Sequence, residues 1–409
     1  MQIKPVFESE KTLPIVFAFN NDYSKYFSVA LQSIIDNSCT NKKYDIIALV
    51  TDVNERNKNL ISTMLPEHFS IRFFDISECI PIEFKKIHFK ILEYYSSDIY
   101  SRLFIPFLFQ NYEKVLYLDS DIVVEDDIST INYNMQDKTL AAALDTIVPF
   151  LGEQKDRTFH MQEVLKLENI EKYFNSGVLL FNLKNMNLQE YKQKLMEAFK
   201  VSELLFPDQD ILNKIFQNKV DFLPRKWNFN SSPYVNENFY NHITGKYKED
   251  FISARKRPNI IHFTSKYKPW NSNTNDNYER FWLYARKTPF YEEILYARTQ
   301  MQIINSAKFT DLYLKIKNGK NIILWGASLF LEEFIQAYKI ETTNILGIID
   351  SDSSKAGKQI GKYKIYSPEQ INCFNVQEVI ITIINADYSN DIRTFLEKKH
   401  IKAKLTTVL

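Results

Sequence analysis

Short apolar runs alternate with amphipathic stretches along the first 270 residues. The runs predict β-strands at Leu13–Phe19, Tyr44–Val50, Ile71–Ile76, Lys114–Leu118, Thr139–Leu144, Val178–Asn182 and Ile260–Phe263. Apolar residues recur at helical spacing from Phe27 to Ile35, and Ser24 is the predicted N-cap of that helix. Residues 94–110 are a second predicted helix. Strands that alternate with helices predict an α/β fold with a mainly parallel sheet between helices.

The pattern changes after Trp270. A polar loop over 271–278 precedes a helical stretch, 281–307, with a break near Pro289. A strand–helix–strand pattern returns from Asn321, with predicted strands in NIILWGAS, NILGIID and EVIITII. We predict three parts: an α/β domain over 1–275, a helical extension over 276–313 and a smaller α/β domain over 314–409.

Charge and cysteine content narrow the classes of function. The formal net charge is +1, so no strong field attracts the chain to nucleic acid, and we expect no nucleic-acid partner. The three cysteines form no C-x-x-C pair, which excludes a zinc or disulfide framework and favours a reducing compartment. The chain has no signal-peptide pattern and no apolar run of about 18 residues, so we expect a cytoplasmic protein without a transmembrane segment.

The most informative local pattern is Asp119-Ser120-Asp121, directly after the predicted strand KVLYL. Two carboxylates at positions i and i+2 beyond a strand end can converge on one hard divalent cation. Open α/β sheets bind ligands at this edge. The alternative is a solvated turn, since Asp is common after strands.

Five further polar motifs occur along the predicted first domain. They are Ser101-Arg102, Asn175-Ser176-Gly177, Asp208-Gln209, Ile261-His262-Phe263 and Lys268-Pro269-Trp270. Together with Asp119-Ser120-Asp121, they resemble the retaining glycosyltransferases of family eight, which include glycogenin and bacterial lipopolysaccharide galactosyl- and glucosyltransferases. The resemblance covers about residues 12–275. It implies a GT-A fold that binds a nucleotide diphosphosugar, and a divalent cofactor, Mn²⁺ or Mg²⁺.

The resemblance implies a metal site made by Asp119, Asp121 and His262. Two carboxylates and an imidazole leave coordination positions for both phosphates of a nucleotide. The alternative for His262 is a packed histidine at a strand end. Lys268 matches a lysine that reaches the diphosphate, where its charge offsets that of the leaving group; otherwise it is a solvated loop lysine. The family often has glycine where this chain has Ser265.

The resemblance also assigns residues around the donor sugar. Asp208 and Gln209 match the pair beside the anomeric carbon, and Asp145 matches an aspartate that lines the sugar pocket. Locally, Asp208 could instead cap a helix, and Asp145 could simply end a strand.

Three more positions complete the implied sugar and diphosphate contacts. Asn175 and Gly177 match a segment below the sugar, although Gly177 could be a turn glycine. Arg102 matches an arginine that contacts the donor sugar or diphosphate, and its alternative is a surface ion pair.

The uridine end matches the family's first-strand loop through Ala18, Asn20, Asp22 and Tyr23. Asn20 stands where the family often has an aspartate that reads uracil. A neutral amide can still bond to uracil because it offers both a donor and an acceptor. Tyr23 can stack on the base or simply pack in the core.

The resemblance implies transfer of a hexose, glucose or galactose, from a UDP-sugar to a hydroxyl of a glycan or glycolipid acceptor in bacterial surface polysaccharide or lipopolysaccharide synthesis. Gln209 is a poor nucleophile, so we favour a front-face route over a covalent intermediate. The alternatives are a non-catalytic sugar-nucleotide-binding scaffold and a UDP-sugar hydrolase. Because such acceptors are lipid-linked, peripheral contact with the inner face of the membrane is compatible with this interpretation.

The C-terminal part resembles the Rossmann-like domains that open bacterial sugar acyltransferases. Gly326 lies at a predicted strand–helix turn, and Asp350 follows at a spacing near that of a ribose-binding acid in dinucleotide folds. The glycine motif is incomplete, because Ser328 stands where a second glycine would be. We favour a structural or interaction role, such as homo-oligomer formation, over cofactor or sugar-nucleotide binding.

Overall fold

The computed structural model describes residues 2–7, 12–81, 84, 97–131, 135, 137–151, 154–201, 203–233, 235, 237–243, 245–383 and 388–408. The chain divides into two compact units, 1–298 and 299–409, and the division falls within one long helix. The predicted helical extension, 276–313, therefore contributes residues to each unit. Residues 94–96 of the second predicted helix lie outside the described residues.

The described residues of the first unit form two sheets. Their strands are β1 (Thr12–Asn20), β2 (Lys43–Thr51), β3 (Phe69–Asp75), β4 (Lys114–Leu118), β5 (Ile122–Val124), β6 (Leu140–Leu144), β7 (Phe174–Asn182), β8 (Val220–Phe222), β9 (Phe229–Ser231) and β10 (Ile260–Phe263). The larger sheet has the order β3-β2-β1-β4-β7-β6-β8, and β7 is antiparallel to both neighbours. The other pairs in this sheet are parallel, which confirms the predicted mixed, mainly parallel sheet.

The described α-helices that begin in the first unit are α1 (Ser24–Asp36), α2 (Glu55–Ser62), α3 (Ile76–Cys79), α4 (Ile105–Leu108), α5 (Lys155–Phe159), α6 (Leu188–Ala198), α7 (Pro207–Ile215), α8 (Glu237–His242), α9 (Gly245–Lys256), α10 (Tyr278–Ala285) and α11 (Tyr291–Asn318). Residues of α1 pack in the cluster on one face of this sheet, and residues of α6 and α7 pack in the cluster on the other face. Shorter 3₁₀ segments are Asn21–Tyr23, Ser97–Phe104, Ile128–Ile131, Val148–Phe150, Ile170–Lys172, Leu183–Asn185 and Arg225–Asn228, and His160–Val164 is a π-turn.

Alternation along β1 explains why both faces are covered. Ile15 and Phe17 are buried in one hydrophobic cluster, whereas Val16 between them is buried in the cluster on the other face. Successive side chains of a strand point to opposite faces, so a run that is apolar at every position needs a layer on each side.

Two local predictions need correction. Ser24 is the first residue of α1 rather than its N-cap, and the side chain of Asn20 instead accepts a hydrogen bond from the Tyr23 N–H of the preceding 3₁₀ turn. The stretch predicted as one helix up to residue 110 is a 3₁₀ segment, Ser97–Phe104, followed by the single turn of α4. Pro106 fits in the first turn of α4 because its missing N–H has no intrahelical partner there.

The smaller sheet of the first unit, with the order β5-β10-β9, positions the candidate site. β10 is antiparallel to β5 and pairs His262 with Ile122. β5 and β9 have three residues each, too few to show a period in the sequence. Neither strand is therefore predicted from the sequence.

The second unit has a sheet of its own. Its described strands are β11 (Ile322–Trp325), β12 (Ile345–Ile349), β13 (Gln359–Ile360), β14 (Tyr363–Tyr366), β15 (Glu378–Ile381) and β16 (Lys404–Thr407). Helices α12 (Leu329–Tyr338) and α13 (Tyr388–Lys398) accompany them, with 3₁₀ segments at Ser353–Lys355 and Pro368–Cys373. The order is β13-β14-β12-β11-β15-β16, parallel except for the β13–β14 pair.

Candidate active site

Three side chains of types that can ligate a metal meet beyond the carboxyl end of β4. Asp119, Asp121 and His262 each offer a ligand atom, and these atoms lie within 4.8 Å of one another. His262 Nε2 lies 3.5 Å from Asp119 Oδ2 and 3.3 Å from Asp121 Oδ1. Backbone pairing fixes this arrangement, since the Phe263 N–H donates to the carbonyl of Asp121 at 3.0 Å. The solvated turn considered for Asp119 and Asp121 does not describe this pair.

Gly177 leaves room for the cluster. It lies within β7, where the Asp119 N–H donates to its carbonyl at 2.9 Å. A Cβ at this position would lie 2.1 Å from His262 Cε1 and 2.9 Å from Asp119 Oδ2. The interpretation of Gly177 as a turn glycine is therefore wrong: it is a strand glycine that allows His262 to approach Asp119.

Lys268 adds a positive charge to the cluster. Its Nζ contacts Asp121 Oδ2 and donates to the carbonyl of Phe263 at 2.5 Å. The side chain is 12% exposed, which excludes a solvated loop lysine. Burial alone would raise the pKa of Asp121, but the ammonium of Lys268 and, when its ring is protonated, His262 outweigh this effect and hold the pKa well below its ordinary value.

Ser265, in the loop between β10 and Lys268, adopts a backbone conformation that favours glycine. Its φ is +75°. This region is unfavourable for residues with a Cβ. The chain therefore keeps the local backbone shape expected of a glycine while carrying a serine.

The Arg102 side chain is 6% exposed and forms ion pairs with the carboxylates of Asp119 and Asp208. Its guanidinium donates to Asp119 Oδ1 at 2.7 Å and to the carbonyl of Ser176 at 2.8 Å, and it lies 3.1 Å from Asp208 Oδ2. Arg102 therefore forms a buried ion pair, and the alternative of a surface ion pair is wrong. Two carboxylates share one guanidinium, which partly offsets the cost of burying all three charges.

Tyr117 was missed by the sequence analysis. Its hydroxyl donates to Asp119 Oδ1 at 2.8 Å, and the Arg102 guanidinium stacks 4.6 Å from its ring centre. Residues two apart in a strand share a face, so a tyrosine two positions before Asp119 was the available signal.

Asp208 is buried at the start of α7. Burial raises the pKa of Asp208, although Arg102 opposes this rise. Ser176 Oγ donates to Asp208 Oδ2 at 2.8 Å. The N-cap of α7 is Phe206, and no side chain caps it. Asp210, in the first turn, accepts from the N–H groups of Leu205 and Phe206 at 2.9 and 3.0 Å. The alternative interpretation of Asp208 as a helix cap is therefore wrong.

Gln209, Asp145 and Asn175 form a hydrogen-bonded group. The Ser176 N–H donates to Gln209 Oε1 at 3.0 Å, which directs the Gln209 amide nitrogen to Asp145 Oδ2 at 3.2 Å. Asn175 Nδ2 donates to the same oxygen at 3.1 Å. The structure thus brings three of the predicted sugar-site residues into direct contact.

Asn228, at the end of a 3₁₀ segment, is a second residue that the sequence analysis missed. It is fully buried, with Oδ1 at 3.0 Å from His262 Nδ1 and Nδ2 at 2.9 Å from Asn175 Oδ1. It links His262 to Asn175. The surrounding sequence, KWNFN, contains no pattern that predicts this role.

The predicted uridine residues lie at the carboxyl end of β1. Ser120 Oγ donates to the carbonyl of Ala18 at 3.2 Å, which joins this end to Asp119-Ser120-Asp121. Burial raises the pKa of Tyr23, as do the nearby charges of Asp121 and Asp119. Asn20 caps the turn, as described above, and Asp22 is exposed.

In the second unit, Asp350, which stands at the spacing of a ribose-binding acid, already has hydrogen-bond partners within the protein. Asp350 Oδ2 accepts from the Ala327 N–H at 2.7 Å and from Lys355 Nζ at 3.1 Å. Gly326 has a φ of +114°, and a Cβ there would lie 2.3 Å from the side chain of Ile383. These contacts favour a structural role for the turn. Among the described residues of the chain, no helix is long and apolar enough to cross a membrane.

The chain is similar to known glycosyltransferases. The family profile of glycosyl transferase family 8 matches residues 14–274, and that of the C2185-like N-terminal domain matches residues 318–405. A protein of Haemophilus influenzae is 30% identical over 222 residues, which are 54% of this chain and 64% of that protein. A lipopolysaccharide 1,2-glucosyltransferase of Escherichia coli is 23% identical, with 66% of this chain and 76% of that protein covered.

Two solved structures are similar to this chain. The apo structure of the bifunctional glycosyltransferase WbbM has a TM-score of 0.64 and 31% identity, covering 73% of this chain and 53% of that chain. The galactosyltransferase LgtC, in complex with donor and acceptor sugar analogues, has a TM-score of 0.54 and 25% identity, covering 68% and 96%. These likenesses confirm the predicted GT-A fold. Since the family profile covers more than half of its length, this chain belongs to glycosyl transferase family 8.

Proposed function

We propose that this protein is a metal-dependent, retaining hexosyltransferase that uses a UDP-sugar as donor and a hydroxyl of a glycan or glycolipid as acceptor. The observation that carries the proposal is the cluster of Asp119, Asp121 and His262 at the carboxyl edge of the sheet. Family membership supports glycosyl transfer. The lipopolysaccharide glucosyltransferase and LgtC relatives favour glucose or galactose and a bacterial surface glycan.

The three side chains fit a divalent cation. Their ligand atoms are close enough to share one ion, and the missing Cβ of Gly177 provides the space that the imidazole needs. Carboxylate oxygens with one imidazole suit Mn²⁺ or Mg²⁺. When bound there, the ion would neutralise the charge that develops on the departing diphosphate.

The surrounding cations have separate tasks in this proposal. Lys268 keeps an ammonium at the edge of the cluster, where it can face the diphosphate. Arg102 holds the carboxylates of Asp119 and Asp208 in fixed positions through its two ion pairs. Preorganised charges of this kind stabilise a transition state without reorganising during the reaction.

The contacts of Gln209 favour the front-face route. Its Oε1 accepts from the Ser176 N–H, so this oxygen is engaged by the backbone and is an amide oxygen of low nucleophilicity. Asp208 is paired with Arg102 and Ser176. In this route the donor C1–O bond breaks as the acceptor oxygen bonds to C1 on the same face. The acceptor proton then passes to the departing phosphate oxygen.

The proposal is tested by measuring UDP release from a panel of UDP-sugars, with and without Mn²⁺ and with and without glycan acceptors. A transferase releases UDP faster when the acceptor is present and makes an α-linked product, which NMR of the anomeric proton identifies. Metal-dependent release that ignores every acceptor would indicate a hydrolase. Sugar-nucleotide binding without release would indicate a scaffold. Either result would contradict the proposal.

A further inference from the structure

The environment of the His262 ring carries one more conclusion. His262 is 4% exposed, and its two ring nitrogens face different partners. Nε2 faces the carboxylates of Asp119 and Asp121, whereas Nδ1 lies 3.0 Å from Asn228 Oδ1. A neutral imidazole carries one hydrogen, so its position decides which nitrogen can act as a metal ligand.

A chain of hydrogen bonds that begins at Asn175 and ends at His262 fixes the position of this hydrogen. The backbone N–H of Gly177 can only donate, so the atom of Asn175 that it meets at 3.0 Å is the amide oxygen. A carboxylate can only accept, so the other end of the Asn175 amide, facing Asp145 Oδ2, is the nitrogen. Both neighbours give Asn175 the same orientation, which removes the usual ambiguity of an amide flip.

The same logic continues to His262. Because Asn175 presents its oxygen, the atom of Asn228 that meets it at 2.9 Å is the amide nitrogen. Asn228 therefore presents its oxygen to His262 Nδ1. Asn230 Nδ2 lies 3.3 Å from the same oxygen and 3.4 Å from His262 Nδ1. The shorter contact of Nδ1 is the one with the Asn228 oxygen, at 3.0 Å, and it decides the assignment.

We infer that Asn228 is a positioning residue that holds His262 as the Nδ1–H tautomer, so that the lone pair of Nε2 faces Asp119 and Asp121. This inference rests on the proposed function of that cluster as a cation site. A hydrogen bond from the non-ligating nitrogen of a metal-binding histidine fixes the orientation of the ring and raises its basicity as a ligand. Asn228 would thereby also connect the cation site to Asn175 and Asp145.

The tautomer can be read directly from the wild-type protein. The chain has only six histidines, so long-range ¹H–¹⁵N spectra of histidine-labelled protein are tractable, and His262→Gln assigns the signal. The spectrum is recorded without metal at about pH 8.5. We expect the Nδ1–H pattern for His262. An Nε2–H pattern or a doubly protonated ring would overturn the inference, and this measurement requires no change at Asn228.

Metal binding provides the second test. Asn228→Leu should weaken Mn²⁺ binding, followed by titration calorimetry, by about 10- to 100-fold. Asn228→Asp keeps an acceptor for the Nδ1–H and should retain both the tautomer and tight binding. Asn182→Leu is the matched control. Asn182 is also buried, but it lies at the end of β7 that is remote from Asn175, where it donates to the carbonyl of Lys138.

The outcomes separate the inference from the proposed function. If the wild type binds no Mn²⁺, the cation site fails, and the spectrum still decides the tautomer. If the wild type binds Mn²⁺ and His262→Gln does not, but Asn228→Leu binds as the wild type does, the cation site stands and the role of Asn228 is refuted.

Discussion

His262 Nε2 lies 3.3 Å from Oδ1 of Asp121, although one side chain belongs to β10 and the other follows β4. The short strand β5, immediately after Asp121, pairs with β10 and brings the two together. The candidate site is thus assembled by strand pairing across the smaller sheet.

Asp121→Asn should lower kcat/KM for sugar transfer by about 100-fold, because a neutral amide is a weaker ligand for a hard cation and several kcal/mol of charge stabilisation depend on that cation. Transfer rates are measured with saturating Mn²⁺, and circular dichroism checks the fold. The control is Asp126→Asn in the same segment, which changes an exposed carboxylate and should leave the rate unchanged. Equal rates for Asp121→Asn and the wild type would exclude Asp121 as a ligand.

Gly177→Ala should weaken Mn²⁺ binding by at least tenfold, since the added Cβ would occupy the place of the His262 ring edge. Overpacking of this kind costs about 1–3 kcal/mol of stability, so we expect the variant to fold. Binding is measured by calorimetry and the free energy of unfolding by urea titration. Gly245→Ala is the control, because it introduces strain at a φ of +59° without meeting any atom within 4 Å. Unchanged binding in Gly177→Ala would mean that His262 is not held where the structure places it.

Arg102→Met should destabilise the protein by about 3–5 kcal/mol, because it leaves the buried carboxylate of Asp208 without its cationic partner. Urea denaturation followed by fluorescence measures the loss. Arg56→Met is the matched control: Arg56 is 62% exposed and pairs with Glu293 at the surface, so its removal should cost less than about 1 kcal/mol. Similar losses for the two variants would contradict the structural role of Arg102.

The depressed pKa of Asp121 predicts a pH dependence of stability. The folded protein holds this carboxylate ionised, so Asp121 contributes stability above its unfolded pKa of about 4, and this contribution is lost as pH falls towards the lower folded pKa. Without divalent cations, the wild type should therefore be more stable than Asp121→Asn at pH 6, with a difference that shrinks below pH 4. Urea titrations at both pH values measure it. A difference that grows on acidification would reverse the assigned sign.

Ser265→Gly and Ser265→Ala should differ in stability although both remove the hydroxyl. With a φ of +75°, glycine is favoured over alanine by about 1 kcal/mol in the folded state, before its larger unfolded-state entropy is subtracted. We expect the glycine variant to have the higher urea midpoint. A more stable alanine variant would mean that this loop adopts a different backbone conformation in solution.

The hydrophobic pattern along the chain was sufficient to predict the strands and helices that are long enough to show a period. The strand Lys114–Leu118 has its predicted bounds, and the break between α10 and α11 falls near Pro289. The positions of Asp119 directly after a predicted strand and of His262 within another also followed from the sequence, because side-chain chemistry and order along the chain do not depend on packing.

The sequence alone determined the alternation of strands and helices and the residue types available for a cation and a sugar nucleotide. Only the tertiary structure decided which of them touch. The β5–β10 register places His262 beside Asp121, and burial turns Arg102 into the shared partner of Asp119 and Asp208. Asn228 and Tyr117 gain their contacts with the cluster in the same way. These contacts join residues that are remote in sequence, and no local periodicity encodes the distance between two strands that pair only when the chain has folded.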